Sequence, residues 1–209
     1  FALPPGRRFP ANKPLPHHVA PIIALRGSAN LSGTAAWGPP VITDPRPQRR
    51  LRVGYVSGDF HAHPVGYFIG HLFDHRDPSG HEVFCYYNDT TADAHTERLH
   101  AAADHWRDVA GLSDAALAER IRGDGIDILV DLSGHTGHHR LLTFARRPAP
   151  VQATWLGYFA TTGLSAMDYI IADPVVIPPG DEHWYAEQVV RLPHSHPGFP
   201  PPDYDIQIG

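Results

Sequence analysis

Three short segments of the 209-residue chain gather side chains whose types and spacing could do chemistry. In VSGDFHAHP, Asp59, His61 and His63 lie within five residues. A carboxylate and two imidazoles can move protons, because histidine titrates near neutral pH. The same residues also fit a plain loop in which Asp59 caps a helix and the histidines are merely exposed, since sixteen histidines make local coincidences common. In LSGHTGHHR, His135, His138, His139 and Arg140 surround two glycines. The His-x-x-His spacing suggests a metal, yet no partner cysteine or carboxylate stands at a recognised interval. A glycine-rich loop offering backbone N–H groups and imidazole donors to a sugar or phosphate fits better. In WLGYFATTGLSAMDY, Thr161 and Thr162 could donate to sugar hydroxyls, or belong to an ordinary Gly/Thr turn. Trp155, Tyr158 and Phe159 are expected in the core. There is no GxGxxG fingerprint and no Walker loop, so nothing points to a dinucleotide or to ATP.

The elements that must position these segments follow from periodicity. Short β-branched or aromatic runs alternate with longer amphipathic stretches, the signature of an α/β fold around a parallel sheet with helices on both faces. Strands are predicted over Leu51 to Ser57, His81 to Tyr87, Ile126 to Leu132, Val151 to Leu156, Tyr169 to Ala172 and Val189 to Leu192. All are nearly continuous apolar runs, as strands covered on both faces must be. Pro64 is suited to open a helix after the first strand. A second helix is predicted after Ser113, with a serine cap, Asp114 in its first turn, Leu117 and Ile121 on one face, and Gly123 and Gly125 to end it. Residues 132 to 134 then emerge at the carboxyl edge of the sheet, where open α/β sheets bind ligands.

The ends differ from the middle. Of 22 prolines, ten lie at or before Pro47 and five between Pro193 and Pro202. Proline removes a backbone donor and fixes φ, so residues 1–48 read as a linker, with a helical turn near Ala20 to Leu25, and residues 196–209 as an irregular tail. Residues 49–195 form the folded lobe. No internal repeat of 20 to 50 residues is visible. The formal charge of −5, with no basic run, gives no footprint for nucleic acid or anionic membrane. No segment has the length or order of a membrane helix or secretory signal. A lone cysteine, Cys85, suggests a reducing compartment, the cytoplasm by default. The first residue, Phe1, suggests a fragment.

The ordered segments RLRVGYVSGDFHAHPVGYF, HEVFCYYN, GIDILVDLSGHT, RPAPVQATWLGYFATTG and MDYIIADP resemble the amino-terminal catalytic lobe of bacterial protein O-linked N-acetylglucosamine transferases. The likeness spans about residues 48–195. It implies a Rossmann-like lobe of a GT-B fold, in which two lobes face each other across a cleft holding UDP-N-acetylglucosamine (UDP-GlcNAc). It further implies transfer of N-acetylglucosamine, or in some relatives fucose, to serine or threonine hydroxyls of proteins, with inversion and without a metal or other cofactor. The histidine of the DFxxHP motif falls on His63, expected as catalytic base or acceptor-positioning group. Asp59, Asp131, His135, Thr161 and Gly163 are carried over as substrate-binding residues. The second lobe that supplies most nucleotide contacts is not in this sequence, and neither are the helical repeats that usually precede the lobe. A truncation or frame change near His196 is therefore expected, leaving a lobe inactive alone. A non-enzymatic α/β binding or scaffold module is the rival reading, and a histidine-based metal hydrolase a third.

Overall fold

The computed structural model describes residues 49–193 and 195. The linker assigned to residues 1–48, with its helical turn, and the tail assigned to residues 196–209 lie outside the described residues.

Seven strands form one sheet in the order β3-β2-β1-β4-β5-β6-β7, and every neighbouring pair is parallel. The strands are β1 (Leu51–Ser57), β2 (His81–Tyr87), β3 (His105–Asp108), β4 (Ile128–Asp131), β5 (Val151–Trp155), β6 (Tyr169–Ala172) and β7 (Gln188–Arg191). Four α-helices connect them: α1 (Pro64–Asp74), α2 (Ala94–Ala102), α3 (Asp114–Asp124) and α4 (Leu141–Phe144). A 3₁₀ turn at Asp181–Trp184 precedes β7.

Side chains alternate across the sheet and fill two cores. Val53, Tyr55, Val83, Cys85, Ile128 and Val130 pack with Val65, Ile69, Leu72 and Phe73 of α1 and Leu99 of α2. Val56, Phe84, Tyr86 and Leu129 point the other way, onto Leu117 and Ile121 of α3 and Leu141 and Phe144 of α4. Almost every residue of the central strands thus loses its water to one helix layer or the other, which is why those strands are nearly all apolar.

Four elements were not foreseen: β3, α2, the short α4 and the 3₁₀ turn at Asp181–Trp184. Edge strand β3 carries HWRD, too polar to read as a strand, and α2 carries AHTERLHAA, in which Thr96 and Leu99 are the buried residues. The α2 helix starts on a capping box: the Asp93 carboxylate accepts from the Thr96 amide at 2.8 Å, and the Thr96 hydroxyl accepts from the Asp93 amide. Helix α3 begins at Ser113 as read and ends at Gly125, left-handed at φ 64°, while Gly123 remains inside it.

Strand order reverses direction between β1 and β4, the topological switch point. Loops leaving β1, β2, β4 and β5 converge on the carboxyl edge there. At the opposite edge, Arg49 grips the buried Asp127 with bonds of 2.6 and 2.7 Å, fixing the entry to β1 against the start of β4. No helix among the described residues is long and apolar enough to cross a membrane.

Candidate active site at the switch point

The loop after β1 is short and heavily bonded. The Ser57 hydroxyl accepts from the Asp59 amide at 2.9 Å, and the His63 amide donates to the His61 carbonyl at 2.7 Å. The helix cap is His63, not Asp59: its Nδ1 accepts from the Val65 amide at 3.3 Å, with Pro64 as the first helical residue. The nearer Asp59 carboxylate oxygen stands 3.9 Å from the same Nδ1. A Cβ on Gly66 would lie 2.2 Å from the His61 carbonyl, so only glycine lets the helix approach this loop. From the next loop, Asp93 accepts from the Ala62 amide at 2.8 Å. That bond and the Thr96 amide hold the Asp93 carboxyl down at about 2.

After β4 the chain turns around Asp131. Its fully buried carboxylate accepts from the Ser133 and Gly134 amides, at 3.2 and 2.8 Å, and from the Thr154 hydroxyl at 2.9 Å. Burial still raises its pKa, against these donors. The Ser133 hydroxyl is 2% exposed and has no partner among the described residues. The turns after β4 and β5 interlock: a Cβ on Gly157 would come within 1.8 Å of the Leu132 carbonyl, and one on left-handed Gly134 within 2.3 Å of the Tyr158 Cβ. His138 lies against Gly58, accepts at its carbonyl from Asn88 at 2.6 Å, and places its ring 3.4 Å from Asp89. Arg140 donates to Asn88 at 2.7 Å, tying β2 and β4 together.

His135 joins the β4 loop to the β5 loop. Its Nε2 lies 3.0 Å from the Thr162 carbonyl, and its ring meets Tyr158 edge-on at 5.5 Å. Thr161 donates its hydroxyl proton to Glu187 at 2.7 Å. Gly163 is exposed and left-handed at φ 70°. Of the aromatics expected in the core, Trp155 is there, Tyr158 is half-buried, and Phe159 is 70% exposed, stacked on Tyr158 at the rim. The structure thus puts Asp59 and His63 on one loop at the switch point, with Asp131 and His135 on its ladder neighbour and Thr161 and Gly163 on the next. Sequence reasoning missed Asn88, Asp93 and Glu187. The DxxT pattern of a capping box was the available signal for Asp93; nothing marked the others. Among the described residues no three His, Cys, Asp or Glu side chains gather where they could hold a metal.

The family model for glycosyl transferase family 41 matches residues 40–197. The chain belongs to this family. Among curated family 41 relatives, the "Probable UDP-N-acetylglucosamine--peptide N-acetylglucosaminyltransferase SPINDLY" of Solanum lycopersicum is 42% identical over 153 residues, 71% of this chain and 16% of the relative. The Arabidopsis thaliana protein of the same description ending in SEC is 40% identical over 151 residues, 71% of this chain and 15% of the relative. A solved structure of a mutant O-GlcNAc transferase from Thermobaculum terrenum superposes with a TM-score of 0.75 at 48% identity, over 92% of this chain and 37% of that one. The chain therefore spans a minor part of the proteins it matches, and its sheet is the Rossmann-like GT-B lobe expected of family 41.

Proposed function

We propose that this lobe is the amino-terminal catalytic half of an inverting transferase that moves N-acetylglucosamine from UDP-GlcNAc to serine or threonine hydroxyls of proteins. The observation that carries the reading is the DFHAHP loop of a family 41 chain, presenting His63 at the switch point. In the reaction the acceptor oxygen attacks the anomeric carbon, the bond to the diphosphate breaks with its electron pair leaving on UDP, and the acceptor proton passes to a base. His63 is the residue assigned to the acceptor hydroxyl. With Nδ1 accepting from Val65, the neutral ring carries its proton on Nε2 and acts as a donor that positions the acceptor oxygen. Proton removal at Nε2 requires the other tautomer, in which Nδ1–H faces Asp59. Asp59 is thus the group that sets which role the ring plays.

Asp131, His135, Thr161 and Gly163 build the sugar side of the cleft in this reading, and a second lobe supplies the nucleotide contacts and the diphosphate donors. No metal is part of the scheme. The partners are the nucleotide sugar, protein acceptors and that second lobe. A cytoplasmic location fits the single cysteine, whose thiol burial pushes its pKa up, away from reactivity. The test is sugar transfer and UDP affinity measured on the purified 209-residue chain and on a chain carrying both lobes. Transfer and micromolar UDP binding are expected from the two-lobed chain alone. Robust turnover by the single lobe would contradict the need for a second lobe, and inactivity of both would contradict the function.

A further inference from the structure

Glu187, just before β7, is 3% exposed, and among the described residues no cation pairs with it. A buried carboxylate without a counter-ion is costly unless donors surround it. Here the donors come from two consecutive residues. The Thr161 hydroxyl reaches one oxygen at 2.7 Å; the Thr162 amide, at 2.7 Å, and the Thr162 hydroxyl share the other. Charge-assisted bonds of this kind are stronger than neutral ones. They act on a turn whose next residue, Gly163, is left-handed and has no side chain to anchor it.

Each threonine hydroxyl has one proton, and both protons are committed to Glu187. The oxygens are occupied as well: Thr161 Oγ1 accepts from the Gly163 and Ala186 amides at 3.0 and 3.1 Å, and Thr162 Oγ1 from the Leu164 amide at 3.3 Å. The expected role of Thr161 and Thr162 as donors to sugar hydroxyls has no free proton to draw on in this arrangement. What the turn presents instead is the Thr162 carbonyl, 3.0 Å from His135 Nε2. A carbonyl only accepts, so this nitrogen carries the proton, and Nδ1 of the exposed ring keeps a lone pair.

We propose that Glu187 is a positioning residue: its carboxylate clamps the Thr161–Thr162 turn, and the clamped Thr162 carbonyl fixes His135 as the Nε2–H tautomer, leaving Nδ1 as the acceptor for a hydroxyl or amide proton of the sugar. The identity of the ligand rests on the function proposed above; the clamp and the tautomer do not.

Ring-nitrogen NMR on the ¹⁵N-histidine-labelled chain tests it, with His135 assigned by its loss in His135→Gln. The expected result is a proton-bearing Nε2 and a bare Nδ1 for His135 in the wild type at pH 8, with the Nδ1–H form below detection. In Glu187→Gln, an amide NH2 replaces one acceptor oxygen and meets either the Thr161 oxygen, which already accepts twice, or the Thr162 N–H, which needs an acceptor. The Nδ1–H form should then appear and the His135 signals broaden, while histidines remote from the turn, such as His81, keep their wild-type positions. If Glu187→Gln does not fold, Thr161→Val removes one bond of the same clamp and should shift His135 in the same direction. A wild-type ring protonated on Nδ1, or His135 signals unchanged in a folded clamp variant, overturns the proposal. No sugar transfer enters the measurement, so a failed transferase assay leaves this result standing, and the reverse holds too.

Discussion

His63 Nδ1 lies 3.3 Å from the Val65 amide nitrogen, so the imidazole assigned to the reaction also caps the helix behind it. Truncating His63 therefore removes two things together: a ring at the switch point and a partner for an orphan amide at the start of α1. Asparagine separates them, since it is among the best N-cap residues but has no imidazole. His63→Ala is expected to cost about 1 kcal/mol of stability. His63→Asn should stay within a few tenths of a kcal/mol of wild type, for the same capping reason. Urea unfolding of the three chains measures both differences.

Gly66 faces the His61 carbonyl so closely that an added Cβ would sit 2.2 Å from it. That carbonyl holds the His63 amide at 2.7 Å. Gly66→Ala should therefore destabilise by about 1–3 kcal/mol through overpacking, although alanine is the better helix former. A variant as stable as wild type in urea would show that the loop yields easily and that the His63 backbone is not tightly held.

Asp131 holds the DLSG turn by accepting from two amides and the Thr154 hydroxyl. Asp131→Ala leaves these buried donors without an acceptor, a loss on the order of 3 kcal/mol. The counter-effect is relief of a buried carboxylate whose pKa burial raises against these same donors. Equilibrium denaturation decides the sign: a neutral or stabilising Asp131→Ala would contradict the assignment of the turn to this carboxylate.

His81 supplies the pH dependence. Burial first, and the Arg76 guanidinium second, lower its pKa from 6.5 to about 4. The folded protein keeps the ring neutral, whereas the unfolded chain protonates it, so the contribution is complete above pH 6.5 and is lost as pH falls toward 4. The loss is on the order of 3 kcal/mol. The carboxylates that donors hold low, Asp93 at about 2 and Asp104 below its ordinary value, lose their contribution at lower pH still. Subtracting the stability of His81→Gln from that of wild type, pH by pH, should leave a slope confined to pH 4–6.5. A flat difference would mean that His81 protonates as easily folded as unfolded.

The parts of this molecule that were legible in the sequence are those decided by burial on both sides. LRVGYVS and HEVFCYY became β1 and β2 at the residues expected, because almost every side chain in them meets a helix layer. The strand read over 126–132 contracts to Ile128–Asp131, since Asp127 is drawn into the pair with Arg49 and Leu132 already enters the turn. Edge strand β3 escaped notice because HWRD has only one apolar residue, and its order comes from the ladder with β2 rather than from its own composition. At the site, the loops were legible and their internal bonding was not. Asp59 looked like the helix cap because aspartate usually is; two residues after His63, the Val65 amide selects the imidazole instead. Glu187 drew no reading at all, because no one-dimensional pattern shows a carboxylate turning inward onto two threonines 26 and 25 residues earlier.

Transfer of N-acetylglucosamine to a serine peptide by a two-lobed chain carrying His63→Asn tests most directly the proposed action of His63 on the acceptor hydroxyl. The cap is preserved in that variant, so a fall in kcat of about 10²–10⁴, with folding intact, is the predicted result for loss of acid–base or positioning chemistry. Transfer at a near-normal rate would contradict the account and remove His63 from the reaction.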